Sequence, residues 1–333
     1  MNKIIRVTSI FSCLFIGVIV LSSWGSFGHE HINRAAVFTL PESSLKTIFY
    51  NHIDFVTQES TVPDLRKYTL SDKSENPRHF IDLENFGALD SLPKNLEEAK
   101  KKYDEKFLQQ NGILPWYLQN MMEKLTKAMK EKRKTEMLFI AADIGHYIGD
   151  AHMPLHTSAN YDGQMTDQKG IHSFWESYLP EHFGKNYNYS AKEGKYIEDV
   201  NKEIFEMIFA SHRLVDTLLL TDKNLTASFP KEKIFEMDDN GKTKKSKFNQ
   251  PYFTLEYATK FHEALKGMVE RQMNKAITAT ASFWYTAWVN AGKPDLTTMD
   301  PSELTKQNAS LFKTEIDLYK QGKLFGIESE KEY

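Results

Sequence analysis

The chain has 333 residues, with 42 Lys and Arg against 45 Asp and Glu and a formal charge of −3. That mild acidity argues against broad, sequence-independent adhesion to nucleic acid through a basic surface; it says nothing against a small anionic substrate, because bound cations would reverse the local sign. Cys13 is the single cysteine, so a chain that loses its first segment has no disulfide and must be braced by other means.

The first 23 residues read as an export leader. Lys3 and Arg6 precede an apolar run over 10–21, and Ser22 and Ser23 are small residues where a peptidase can cut. The run is short against the about 20 residues of a membrane span, and Phe11 spoils a lipoprotein signal at Cys13. Cleavage after Ser23 would place the mature protein outside the cell or in the periplasm. It would leave Trp24 as the amino terminus and, with Lys3 and Arg6 gone, take the formal charge from −3 to −5.

Beyond the leader, apolar residues recur at three- and four-residue spacing over 31–39, 43–56, 94–109, 115–130, 134–150, 171–179, 195–220 and 252–290, while strand-like alternation is scarce. An all-α fold follows. Residues 137–148 are apolar nearly all round, which marks a central helix. The polar exceptions on that helix, Asp143, His146 and Asp150, share one stripe and need partners. Segments 69–78 and 157–170 read as loops, and 237–247 as a solvated, mobile connector. The DDNG piece of the connector lacks the spaced oxygen ligands and closing Glu of a calcium loop. After Pro294 the chain is charged and poorly apolar, so the expected organisation is a leader (1–23), one domain (24–295) and a tail (296–333) with at most one peripheral helix.

The chemistry-bearing residues concentrate in one stretch. Zinc takes nitrogen and oxygen ligands held by rigid elements, and residues i and i+4 of a helix stand side by side. His146 and Asp150 form one such pair, and His172 and Glu176 form another. His156 lies between the pairs, in HYIGDAHMPLH, where Pro154 ends the helix and lets the chain turn back. Asp64 in VPDLR and His79 in RHFID stand on or beside loops, and WGSFGH puts His29 five residues after Trp24. His31, His52, His152, His182, His212 and His262 form no such pattern and read as surface or packing residues; His152 is the nearest to the motif. Asp143 either orients a liganding imidazole or lies on a solvated face. The aromatic cluster Phe283, Trp284, Tyr285 and Trp288 reads as core.

This set resembles the superfamily that unites zinc-dependent phospholipase C with the S1/P1 nucleases, both all-α, over roughly residues 24–176. The resemblance implies three zinc ions: one on Asp64, His79 and His146; a second on His156, His172 and Glu176; a third on His29 and on the α-amino nitrogen and carbonyl of Trp24. Asp150 would bridge the first and third. It further implies hydrolysis of a phosphate ester by zinc-assisted attack of water on phosphorus, with Asp64 as base or orienter.

Two branches compete. The spacing from His156 to His172, the phrase GIHSFWES, Glu176 and the missing disulfides look like the phospholipase C branch, which is the leading expectation. WGSFGH, and a cation three residues after Asp64 (Lys67, beside Arg66), look like the nuclease branch, acting on single-stranded nucleic acid or 3′-nucleotides. In either case Lys67 and Arg66 are candidates to hold a phosphate oxygen. Leu65 stands where choline-binding phospholipases carry an aromatic residue. The partner is then a phosphodiester, a phospholipid headgroup with transient membrane contact or a nucleic acid, and no obligate protein partner is evident. A zinc-binding protein without turnover is the alternative of a different class. If Trp24 is a ligand through its free amine, one extra residue retained before it should cost one zinc ion and most of the activity, which metal analysis and a phosphodiester assay would read.

Overall fold

The computed structural model describes residues 25–68, 73–246 and 250–297, with residues 317 and 321 isolated beyond them. The expected leader, the amino terminus at Trp24 and nearly all of the expected tail lie outside the described residues. In chain order the helices are α1 (Gly25–Thr39), α2 (Ser44–Asn51), α3 (Ile53–Glu59), α4 (Val62–Tyr68), α5 (Leu96–Lys102), α6 (Glu105–Asn111), α7 (Leu114–Lys130), α8 (Lys134–His152), α9 (Ile171–Ser173), α10 (Leu179–Phe183), α11 (Val200–His212), α12 (Val215–Ser228), α13 (Leu255–Ala264) and α14 (Met268–Asn290). A π-helical turn, Phe174–Tyr178, joins α9 to α10. The fold is all-α; among the described residues, strand-type pairing is limited to three isolated antiparallel bridges.

Helix ends fall where polar side chains satisfy free backbone groups, which subdivides several of the expected segments. Asp104 accepts from the Phe107 amide and starts α6, so the run over 94–109 is two helices. Thr254 accepts from the Tyr257 amide and starts α13, while Lys266 and Gly267, at φ 51° and 75°, turn the chain before α14. Asp199 caps α11, and residues just before it are extended along α14. Their amides find an unusual partner set: Lys192, Lys195 and Ile197 donate to the hydroxyls of Thr278, Ser282 and Thr286, one per turn of α14. Residues 237–246 of the expected connector form a tongue. Met237 pairs with Thr243 across a turn in which Asp238 accepts from the amides of Asn240 and Lys242, with Gly241 at φ 72°.

α8 lies at the centre, against α1, α3, α7, α11 and α14. Met137, Ala141, Ile144, Tyr147, Ile148 and Ala151 are fully buried, each large aliphatic contributing about 1.5–3 kcal/mol. Phe139 is the exception, 41 % exposed and edge-on to Phe55. The aromatic cluster of α14 is core as expected: Phe283 and Trp284 are fully buried, and the Trp284 indole donates to the Ala141 carbonyl of α8. Two glycines on α8 let α1 approach. A Cβ on Gly145 would overlap the Asn33 amide, which donates to the carbonyls of Val56 and Ala142 and so ties α1 to α3 and α8. A Cβ on Gly149 would stand 3.1 Å from His29 Nδ1. Gly145→Ala should therefore destabilise the protein by about 2 kcal/mol or more in urea denaturation, although helix propensity alone would give a gain of about 1 kcal/mol.

Candidate metal centre

The polar stripe of α8 finds its partners at the end of the helix. His146 and Asp150, one turn apart, are fully buried, and residues from four other parts of the chain converge on them, His156 of the turn after Pro154 among them. α1 brings His29, α4 brings Asp64, and the turn after Asn76–Arg78 brings His79. Asp150 Oδ2 stands 3.0 Å from His79 Nδ1 and 3.3 Å from His146 Nε2. Its Oδ1 stands 3.7 Å from His29 Nε2 and 3.6 Å from His156 Nδ1. His79 Nδ1 lies 3.7 Å from Asp64 Oδ1, and the His29 ring stacks on His146 at 3.8 Å. A short step away, Glu176 faces His156 Nε2 at 3.3 Å and His172 Nε2 at 3.2 Å.

Three sets of donor atoms lie close enough to share an ion: His29, Asp64 and His146; His79, His146 and Asp150; and His156, His172 and Glu176. The last is the set expected for one zinc. The first two overlap at His146 and divide Asp64 and His79 between them, with His29 drawn into the same cluster. Every expected ligand among the described residues is thus in the cluster, and Trp24 lies outside those residues.

The surroundings of the imidazoles fit a metal. His146 Nδ1 donates to the Ser60 carbonyl (2.7 Å), His156 Nδ1 to the His79 carbonyl (2.7 Å) and His172 Nδ1 to the Tyr161 carbonyl (2.9 Å). A carbonyl can only accept, so each Nδ1 carries the hydrogen and each Nε2 presents a lone pair to the cluster, the usual arrangement of a liganding histidine. Two ring nitrogens, His146 Nε2 and His79 Nδ1, face each other at 3.0 Å. Asp150 Oδ1 is buried and accepts no hydrogen bond. Three buried carboxylates need positive charge beside them, and once the imidazoles give up their protons to act as ligands, bound cations supply it.

The charge states follow from the same packing. Burial opposes the charge of Asp150, but His146 and His156 overcome it and hold the carboxyl well below its usual range. Burial likewise opposes Glu176, which the neighbouring His172 and His156 hold at about 2. Burial raises Asp64 despite His146, His79 and Lys67, and burial together with His146 lowers His29 well below the imidazole range. His146 is raised to about 9, burial being outweighed by Asp150 and Asp64.

The two expected phosphate-holding cations differ. Lys67 is part-buried and its charge acts on Asp64. Arg66 is engaged by protein carboxylates: Nε donates to Glu75 (2.9 Å) and Nη2 to Asp143 (2.7 Å). Asp143 therefore pairs with Arg66, being neither solvated nor the acceptor of an imidazole N–H. His152 is buried away from the cluster, donating to the Ile148 carbonyl, and burial lowers it to about 4. Sequence reasoning passed over Glu75, a fully buried carboxylate 3.4 Å from His79 Nε2. Its signal was present in the four-residue spacing to His79, inside a segment read as loop.

Histidine and carboxylate donors clustered in an all-α bundle, with the Nδ1 atoms of His146, His156 and His172 tied to carbonyls, are suited to hold divalent metal ions. The family model of the S1/P1 nuclease matches residues 24–278, and the chain belongs to that family, whose members are zinc-dependent phosphoester hydrolases. No curated protein matches the chain.

In the absence of metal, His146 keeps its proton up to about pH 9. An ion must displace that proton to reach Nε2, so zinc affinity should climb with pH, level off above about 9 and be accompanied by proton release. Chelator-competition titrations in buffers of different ionisation enthalpy would read both effects.

Proposed function

We propose that the chain, cut before Trp24 and exported, is a phosphoesterase of the nuclease type that holds three zinc ions and acts on the diesters of single-stranded nucleic acid or on the 3′-monoester of nucleotides. The observation that carries this reading is Asp150, each of whose oxygens faces two imidazoles from different parts of the chain, at the heart of a match to the S1/P1 nuclease that begins at residue 24. Asp64, His79, His146 and Asp150 are the site for one ion, and His156, His172 and Glu176 for a second; His29, Asp150 and the amino terminus of Trp24 are the site for the third. Zinc in such sites lowers the pKa of water to about 7 and neutralises phosphate charge.

The chain's own residues do the rest. Asp64, whose carboxyl burial has made a better proton acceptor than an exposed Asp, orients the attacking water or takes its proton. Lys67 supplies positive charge beside Asp64 for a phosphate oxygen. His172 is the most open of the cluster, its side chain 22 % exposed against 0–4 % for Asp64, His79, Asp150, His156 and Glu176. Substrate therefore enters from its side, past the exposed ring of Tyr161, which stands edge-on to His172.

Phospholipase C-like cleavage is the second reading, supported by Glu176 in a ligand position and by the His156–His172 spacing. Purified protein offered single-stranded DNA, RNA, a 3′-nucleotide and phosphatidylcholine vesicles, with and without chelator, decides between them. Chelator-sensitive hydrolysis of nucleic acid or the 3′-nucleotide is expected; lipid cleavage without either would favour the second reading, and no hydrolysis of any of them would end the enzymatic one. Asp150→Asn should lose bound zinc and about 100-fold or more in rate, and unchanged metal content and turnover would remove Asp150 from the site.

A further inference from the structure

His79 is turned the opposite way from its neighbours. His146, His156 and His172 each tie Nδ1 to a backbone carbonyl and direct Nε2 into the cluster. His79 instead directs Nδ1 inward, 3.0 Å from both Asp150 Oδ2 and His146 Nε2, and turns Nε2 toward Glu75 Oε1 at 3.4 Å. The group beside its outer nitrogen is a carboxylate, off-line for a hydrogen bond as the two side chains stand but a stronger acceptor than a carbonyl, and one that, once bonded, makes the inner nitrogen a better donor to a cation.

Glu75 is held with care for a residue on a turn. It is fully buried. Its Oε2 accepts from Arg66 Nε at 2.9 Å and from Arg78 Nη1 at 2.7 Å, and its Oε1 accepts the Tyr147 hydroxyl. Arg66 stands two residues after Asp64 on α4, and Tyr147 follows His146 on α8. The two helices that supply the facing donors therefore also supply two of the three clamps on Glu75. Arg66 in turn bonds Asp143, one turn before Tyr147. The His79 carbonyl accepts from His156, so the placement of His79 reaches the neighbouring donor set as well.

We propose that Glu75 is a positioning residue: it fixes His79 with hydrogen on Nε2 and so presents Nδ1 to the ion shared with His146 and Asp150. The inference rests on the reading of that cluster as a zinc site. It assigns Glu75 no contact with substrate, and its signature is metal retention and ring orientation before any change in rate.

The first test needs no substitution. Long-range 1H–15N spectra of the zinc-loaded full chain report which ring nitrogen carries metal and which carries hydrogen. The expected pattern is Nδ1-bound metal and Nε2–H for His79, with the reverse for His146, His156 and His172; metal on Nε2 of His79, or none, would overturn the proposal. The second test is Glu75→Gln beside Glu75→Asp, which keeps the charge for Arg66 and Arg78 but withdraws the carboxylate from His79. Each variant that retains the wild-type circular dichroism should release zinc about 10- to 100-fold more readily from the cluster containing His79. Retention on His156, His172 and Glu176, followed with cobalt as a spectroscopic probe, should be unchanged. Zinc retention equal to wild type in a folded variant overturns the role of Glu75 alone. A wild-type chain that takes up no zinc overturns the metal reading and this inference together. Should both variants fail to fold, the wild-type spectra decide.

Discussion

A carboxylate at the end of an apolar helix is the constraint around which the molecule is arranged. Asp150 is fully buried, and an ionised carboxylate there is sustainable only if cations or donors surround it. The nearest groups are imidazoles delivered from the first helix, from the turn at His79, from α8 itself and from the turn after Pro154. Each must be brought in by a separate stretch of chain, so much of the tertiary structure can be understood as the means of delivery. With no disulfide available among the described residues, a shared ion in the cluster would join these stretches in the manner of a covalent staple.

Several otherwise plain features serve that delivery. Gly145 and Gly149 clear one face of α8 so that Asn33 and His29 of α1 can lie against it. Asn33 then locks α1, α3 and α8 together through two carbonyls, and the Ser60 carbonyl at the end of α3 orients His146. On the far side, Asp162 accepts from the amides of Gly170 and His172 and so fixes the start of the helix that carries His172 and Glu176. Beneath His79 lies a second polar layer, Glu75, Arg66, Arg78, Asp143 and Tyr147, in which two guanidiniums face two carboxylates. The layer explains why an arginine beside Asp64 is drawn into the protein while the neighbouring lysine keeps its charge near the carboxylate that faces the cluster.

How much of this was legible beforehand differs by kind of feature. Helical period along α8 and the two His-x-x-x-carboxylate pairs depend on local geometry alone, because one turn of helix puts i and i+4 side by side. They were readable without any fold, as was the core role of Trp284. Helix boundaries were less so. The runs over 94–109 and 252–290 have continuous period but are cut by Asp104 and by the Lys266–Gly267 turn, where capping and positive φ outweigh apolar spacing. The extended stretch along α14 escaped notice because its amides pair with hydroxyls of a helix, and so leave no alternating pattern in sequence.

The sequence by itself determined the all-α class, the central helix and the inventory of donors, since residue type and short-range spacing carry that information. Which donors share an ion was decided only in three dimensions: His29, Asp64 and His79 reach Asp150 from far along the chain, and separation in sequence says nothing about the angle at which a ring arrives. Orientation was likewise a tertiary matter. The tautomer of each imidazole depends on a carbonyl or carboxylate contributed by another segment, which is why Glu75 became visible only when the chain was folded around it.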